Sequence, residues 1–167
     1  VRGLTDQVEA LVQSQQRMQD TMGSMKGRLL ELTYHNKAGA YFGPLLRRLA
    51  VVEPHTLEDT LEAGLMEGEF RDVLRLDLLI QGRPRRQPDA DEVWLAVEVS
   101  SVVDQGDVDR AARRAGLLRR AGYRAVPAAA GEEMTLGAEA AARSQHVALV
   151  KDGQVMFWDE ALNAWAA

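Results

Sequence analysis

Nine positions near the start of the chain, Leu4, Val8, Leu11, Gln15, Met18, Met22, Met25, Leu29 and Leu32, follow one another at alternating spacings of four and three. That is the seam of a left-handed coiled coil, sustained for four heptads. A lone helix of this kind leaves its apolar stripe in water, so the pattern predicts another helix against it, from a second copy or from the same chain. Self-association is the expectation, as a dimer or a tetramer. Gln15 is the single polar seam residue; it either fixes register and strand number at some cost in stability or is one tolerated polar position. Gly23 and Gly27 each cost roughly 1 kcal/mol relative to alanine. Few opposed charges flank the seam, so the coil is expected to draw stability from the globular part. Residues 1–33 are read as the oligomerisation helix and 34–167 as one α/β domain.

Beyond that helix, 167 residues with 46% apolar content suffice for one packed core and leave no room for a second enzyme domain. The absence of cysteine excludes a disulfide framework and thiolate metal sites, and it points to a reducing cytoplasm. No apolar run approaches membrane-spanning length, and the polar heptad start lacks a basic segment leading into an apolar one. The expectation is a cytoplasmic protein with no membrane partner. A net charge of −5 argues against a surface built throughout for phosphate, although Arg83, Arg85 and Arg86 form a local cluster that could touch nucleic acid. His35, His55 and His146 are too scattered for a metal or triad spacing, and no glycine-rich phosphate loop follows a strand.

The apolar face formed by Tyr34, Ala38, Tyr41, Phe42, Leu45, Leu46 and Leu49 predicts that the helix continues or restarts, with a kink at Gly43 and Pro44. Thr56, Glu58 and Asp59 predict a short capped helix to about Glu67, stopped by Gly68. Val73 to Ile80 alternates as a strand that carries Asp77 in its interior, and Trp94 to Ser100 alternates as another with Glu98 and Ser100 on one face. The connector between them, with Gly82, Pro84 and Pro88, suits an antiparallel hairpin. A helix from about Val108 to Ala121 follows, capped by Asp104 or Asp107 and ended by Gly122. Tyr123 to Ala129 reads as a strand that Pro127 assigns to an edge or a bulge. A helix over Thr135 to Arg143, a strand over Val147 to Lys151, its hairpin partner Val155 to Trp158 and a tail packing through Leu162 and Trp165 complete the chain.

If the two strands pair with their polar faces together, Asp77 and Glu98 become close neighbours. Two ionised carboxylates with apolar flanks need compensation. A hard divalent cation, Mg²⁺ or Mn²⁺, is one solution, because it takes oxygen ligands and activates water for phosphodiester hydrolysis. An arginine is the other: Arg75 shares the expected strand face with Asp77, and the later helix offers Arg110, Arg113 and Arg114.

The order helix, strand with Asp77, hairpin, strand with Glu98-Val99-Ser100, helix, strand resembles the restriction-endonuclease-like core of the PD-(D/E)XK nuclease superfamily. The run EVSSVVDQGDVDRAARRAGLLRRAGYRAVPAAAG is similar to uncharacterised bacterial members that carry an N-terminal coiled coil. The resemblance covers about Leu30 to Lys151. It implies an α/β fold with a mixed sheet flanked by helices, Mg²⁺ or Mn²⁺ held by Asp77, Glu98 and the Val99 carbonyl, and DNA as substrate. Ser100 stands where that pattern has lysine. A hydroxyl cannot supply the positive charge, so either a basic group such as Arg110 or Arg114 has taken over or the site is silent. Arginine stabilises developing charge but is a poor general base. Two readings therefore stand: a metal-dependent endonuclease, and an inactive coiled-coil interaction or DNA-binding module.

Overall fold

In the computed structural model, which describes residues 2–167, the heptad segment is one uninterrupted helix, α1 (Arg2–Asn36), followed by the short α2 (Ala38–Phe42). Helix α1 runs past residue 33, and its last turns belong to the globular unit. Tyr34 is buried and packs against Tyr41 and Phe42, with ring centroids 4.4 and 6.1 Å apart.

After the Gly43-Pro44 turn the chain forms a strand, β1 (Leu46–Val51), and not the expected continuation of helix to Leu49. Its pairing with the next strand carries one extra residue between Arg47 and Ala50, a bulge at which Arg48 takes φ 51°. The bulge interrupts the period-two alternation, which is why Leu45, Leu46 and Leu49 mimic a helical stripe. A 3₁₀ turn (Pro54–Leu57) and two helices follow, α3 (Glu58–Gly64) and α4 (Glu67–Leu74), where one helix was expected. Gly68 lies in the first turn of α4 and stops nothing. Thr56 caps no helix; its hydroxyl donates to the Glu53 carbonyl. The α4 start is set instead by Glu69, whose carboxylate accepts the Met66 N–H at 3.0 Å.

The strand expected from Val73 begins only at Leu78. Val73, in the last turn of α4, and Leu76, just beyond it with its N–H on the Val73 carbonyl, bury together with Leu61 and Leu79. Strand β2 (Leu78–Pro84) pairs antiparallel with β3 (Val93–Val99), from Leu78 opposite Val97 to Gly82 opposite Val93. Then come β4 (Val102–Val103), α5 (Gln105–Arg120), β5 (Ala125–Gly131), β6 (Glu133–Met134), α6 (Leu136–Gln145), β7 (Ala148–Lys151), β8 (Gln154–Met156) and α7 (Trp158–Trp165).

Six strands form a mixed sheet in the order β1-β2-β3-β5-β7-β8, parallel across β3-β5-β7 and antiparallel elsewhere; β4 and β6 make a separate parallel pair. Strand β5 is central, which corrects the edge or bulge assigned to it from Pro127. The even residues of β5 serve β3: the Arg124 and Ala130 carbonyls accept from Trp94 and Ser100. Pro127 therefore faces β7, and pairing with β7 begins only at Ala128, so no ladder donor is lost. The β7-β8 turn follows its Asp-Gly signal, with φ 47° at Asp152 and 80° at Gly153.

The end of α1, α2 and α7 cover one sheet face, burying Phe42, Leu46, Ile80, Leu95, Val126 and Leu162 among others. Helices α3 to α6 cover the other. The architecture is α/β with a mixed sheet between helical layers. Among the described residues no helix is long and apolar enough to cross a membrane.

Candidate functional site

The β2-β3 ladder ends at Leu78 opposite Val97, and beyond it side chains take the place of backbone rungs. Asp77, in the bend just before β2, accepts the Val99 N–H on Oδ2 at 2.8 Å. Its own N–H donates to Glu98 Oε2 at 3.4 Å. Two carboxylates twenty-one residues apart thus meet where α4, β2 and β3 join. Trp94 of β3 and Ser100 just after it direct their N–H groups to the Arg124 and Ala130 carbonyls. Val99, of opposite parity, directs its N–H to Asp77.

Glu98 points to the α5 face and is buried at 3% exposure. Helix α5 brings the arginines. Its N-terminus is fixed by a reciprocal cap, in which Asp107 N–H donates to Asp104 Oδ1 and Asp104 N–H to Asp107 Oδ2, both at 3.0 Å. Both expected cap residues take part. One and two turns on, Arg110 and Arg114 lie on one helical face. Arg114 Nη1 donates to Glu98 Oε1 at 2.5 Å, and Arg110 Nε stands 3.6 Å from the same oxygen. Arg110 also pairs with the buried Asp107.

Arg114 is itself buried and held from behind: Nε donates to Asp72 Oδ1 at 3.2 Å and Nη1 to the Arg75 carbonyl at 3.3 Å. Arg113 engages Asp72 through both carboxylate oxygens, at 2.7 and 3.1 Å, and this pairing holds the Asp72 carboxyl below its usual range. Arg75, expected beside Asp77 on a strand face, instead follows the last turn of α4 and contributes its carbonyl.

Burial pushes the Glu98 carboxyl up to about 7, with the charge of Asp77 acting in the same direction and Arg114 opposing both. Burial also raises Asp77, against the Val99 hydrogen bond. A third carboxyl joins them that the sequence pattern did not single out. Glu31, on α1, lies close enough to feel the Asp77 charge, and burial followed by that charge raises it too. The only sequence signal for Glu31 is its place outside the heptad seam on a turn that enters the domain. With Asp107, four carboxyl groups thus stand against Arg114, Arg110 and Arg28.

Ser100 does not supply a cation. Its hydroxyl donates to the Val102 carbonyl at 3.0 Å. The arginines of the hairpin connector lie elsewhere: Arg83 is six residues along β2 from Asp77, about 20 Å. Arg85 Nε donates to the Gly43 carbonyl and Arg86 pairs with Asp159, both at 2.5 Å. A cleft of about 590 Å³ opens instead beside Asp72 and is lined by Glu69, Arg71, Asp72, Arg75, Arg113 and Arg120, four guanidinium groups against two carboxylates.

Among the described residues no three His, Asp or Glu side chains are grouped so as to hold a metal ion by themselves. The oxygen set of Asp77, Glu98 and the Val99 carbonyl nevertheless fits a hard divalent cation by donor type, with backbone as the third donor. No protein-family model matches the chain, and comparison with curated proteins and with solved structures returns no match.

Proposed function

We propose that the chain is a divalent-cation-dependent nuclease that hydrolyses DNA phosphodiesters on a restriction-endonuclease-like core. The meeting of Asp77 and Glu98, with Asp77 on the Val99 N–H and the Glu98 carboxylate on the Asp77 N–H, carries this reading. The order of α1, β2, β3, α5 and β5 supports it, as does the surplus of carboxyl groups raised by burial. Asp77, Glu98 and the Val99 carbonyl would hold Mg²⁺ or Mn²⁺, which when bound lowers the pKa of a coordinated water and polarises the phosphoryl oxygen. The chain's own groups account for the rest. The Val99 N–H fixes the orientation of Asp77. Arg110, the more exposed of the two helix arginines and 3.6 Å from Glu98 Oε1, would stabilise charge developing on the phosphate, without accepting a proton. The arginines of the neighbouring cleft offer phosphate contacts along the flanking strand.

A second reading is favoured by two observations. Ser100 is turned onto a backbone carbonyl, and Arg114 occupies Glu98 Oε1, an oxygen a cation would need. The chain would then be a silent relative that retains the core as an interaction or DNA-binding module. Calorimetric titration of wild type and Asp77→Ala with Mn²⁺ separates the two: the nuclease reading expects binding by wild type that Asp77→Ala abolishes. No binding by wild type ends it. If Mn²⁺ binds, cleavage of branched, single-stranded or duplex DNA is expected, and inactivity on all three leaves the silent module.

A further inference from the structure

The seam of α1 is uncovered along its whole length. Leu4, Val8, Leu11, Met18, Met22, Met25, Leu29 and Leu32 are each between 53% and 68% exposed. The last two turns decide what can cover it. Leu30 and Tyr34 face the core, and Tyr34 is 2% exposed, while Leu29 and Leu32 beside them face away. The globular unit thus holds one side of α1 and leaves the heptad side free, so the chain's own helices do not complete the coil.

We infer that this face is covered by the α1 of a second copy, in a parallel two-stranded coil. A second copy matches the seam in phase and length by construction, over the about 40 Å between Leu4 and Leu32. The spacing assigns Val8, Gln15, Met22 and Leu29 to the a positions and Leu4, Leu11, Met18, Met25 and Leu32 to the d positions. Leucine and methionine at d with valine at the first a suit two parallel strands. Gln15 decides the orientation. In a parallel coil it meets Gln15 of the second copy, and the two amides satisfy each other. Reversed, with the seam fully overlapped, it falls among methionines with no polar partner. Across the parallel seam, residues at g and the following e pair Gln7 with Val12, Ser14 with Gln19, Thr21 with Lys26 and Arg28 with Thr33, without a like-charge contact. Both globular units then sit at the same end, and their Asp77–Glu98 clusters with them. This assembly does not depend on the chemistry of those acids.

The chain has no cysteine, which allows a clean test. Sedimentation of the full chain at micromolar concentration is expected to give twice the 18.4 kDa chain mass. Leu11→Glu with Met18→Glu is expected to halve that mass, with the fluorescence of the domain's tryptophans unchanged. Leu4→Cys, oxidised, is expected to run as a covalent dimer on a non-reducing gel, because residue 4 meets its own copy only in the parallel arrangement. A monomer for wild type, or a trimer or tetramer, overturns the two-copy coil. A dimer that Leu4→Cys fails to close, but that a mixture of Leu4→Cys and Leu32→Cys chains does, overturns the parallel orientation.

Discussion

Arg114 and Glu98 meet inside the protein, one on the third turn of an arginine-bearing helix and the other near the end of a central strand, with Nη1 2.5 Å from Oε1. Neither is exposed, so each is the other's principal compensation. Removing one partner of such a pair strands the other charge. Arg114→Met is therefore expected to destabilise the fold by about 3 kcal/mol at pH 8, as read by urea unfolding. Adding Glu98→Gln to Arg114→Met is expected to recover at least half of that loss. A double variant no more stable than Arg114→Met would show that the arginine acts through Asp72 and the Arg75 carbonyl instead.

The pH dependence follows from the same carboxyl. Its ordinary value is 4.5 and the folded value is raised to about 7, so the folded state holds the proton more tightly. That contribution is fully present below about pH 4.5 and is lost as pH rises through 7, a difference of about 3 kcal/mol. Asp77 and Glu31 shift in the same direction, so the informative quantity is wild type compared with Glu98→Gln. In chelator-containing buffer, wild type is expected to lose stability relative to Glu98→Gln between pH 4.5 and 7, and the difference to level off above about 8. A difference that does not change with pH would assign the shift to another carboxyl.

The seam of α1 was legible because a 3.5-residue period repeated over many turns has no other reading. The acids were legible as neighbours because the β2-β3 hairpin places them so. What misled was short-range ambiguity. VLRLDLLI alternates over eight residues, yet Val73 and Leu76 also satisfy a helical spacing, and the Met66–Glu69 cap settles the matter in favour of helix. Strand β1 hides its alternation behind the Arg48 bulge. Pro127 misdirects because the rule against central prolines depends on which way the missing N–H would point, and that is fixed only by strand order. Glu31 carried only its place outside the heptad seam: its role arises from a 35-residue helix packing its last turns onto the sheet, a tertiary fact that a local pattern does not give.

Asp104 and Asp107 set the axis of α5 and with it the reach of both arginines. Asp104→Ala removes the cap and leaves Asp107 N–H without its acceptor. The expected cost is about 1 kcal/mol, visible as a lower melting temperature, and Asp104→Ser is expected to keep most of the stability. Equal losses in the two variants would mean that the Asp104 charge, and not its capping geometry, is what α5 needs.

Two glycines give predictions of opposite sign. A Cβ at Gly131, the last residue of β5, would lie 2.1 Å from the Ser100 carbonyl oxygen and 2.8 Å from Val103 Cγ2. Backbone crowds the site, so relief requires the segment after β3 to move, and that segment continues directly from Val99. A Cβ at Gly116, inside α5, meets nothing within 4 Å. Gly131→Ala is expected to cost about 2 kcal/mol or more, and Gly116→Ala to add about 0.5 to 1 kcal/mol by restricting the unfolded chain and favouring helix. Denaturant midpoints of the two variants, compared with wild type, check both. If Gly131→Ala is neutral, β5 and the Ser100 segment do not approach as closely as the structure has them, and the position of the Val99 N–H on Asp77 loses its support.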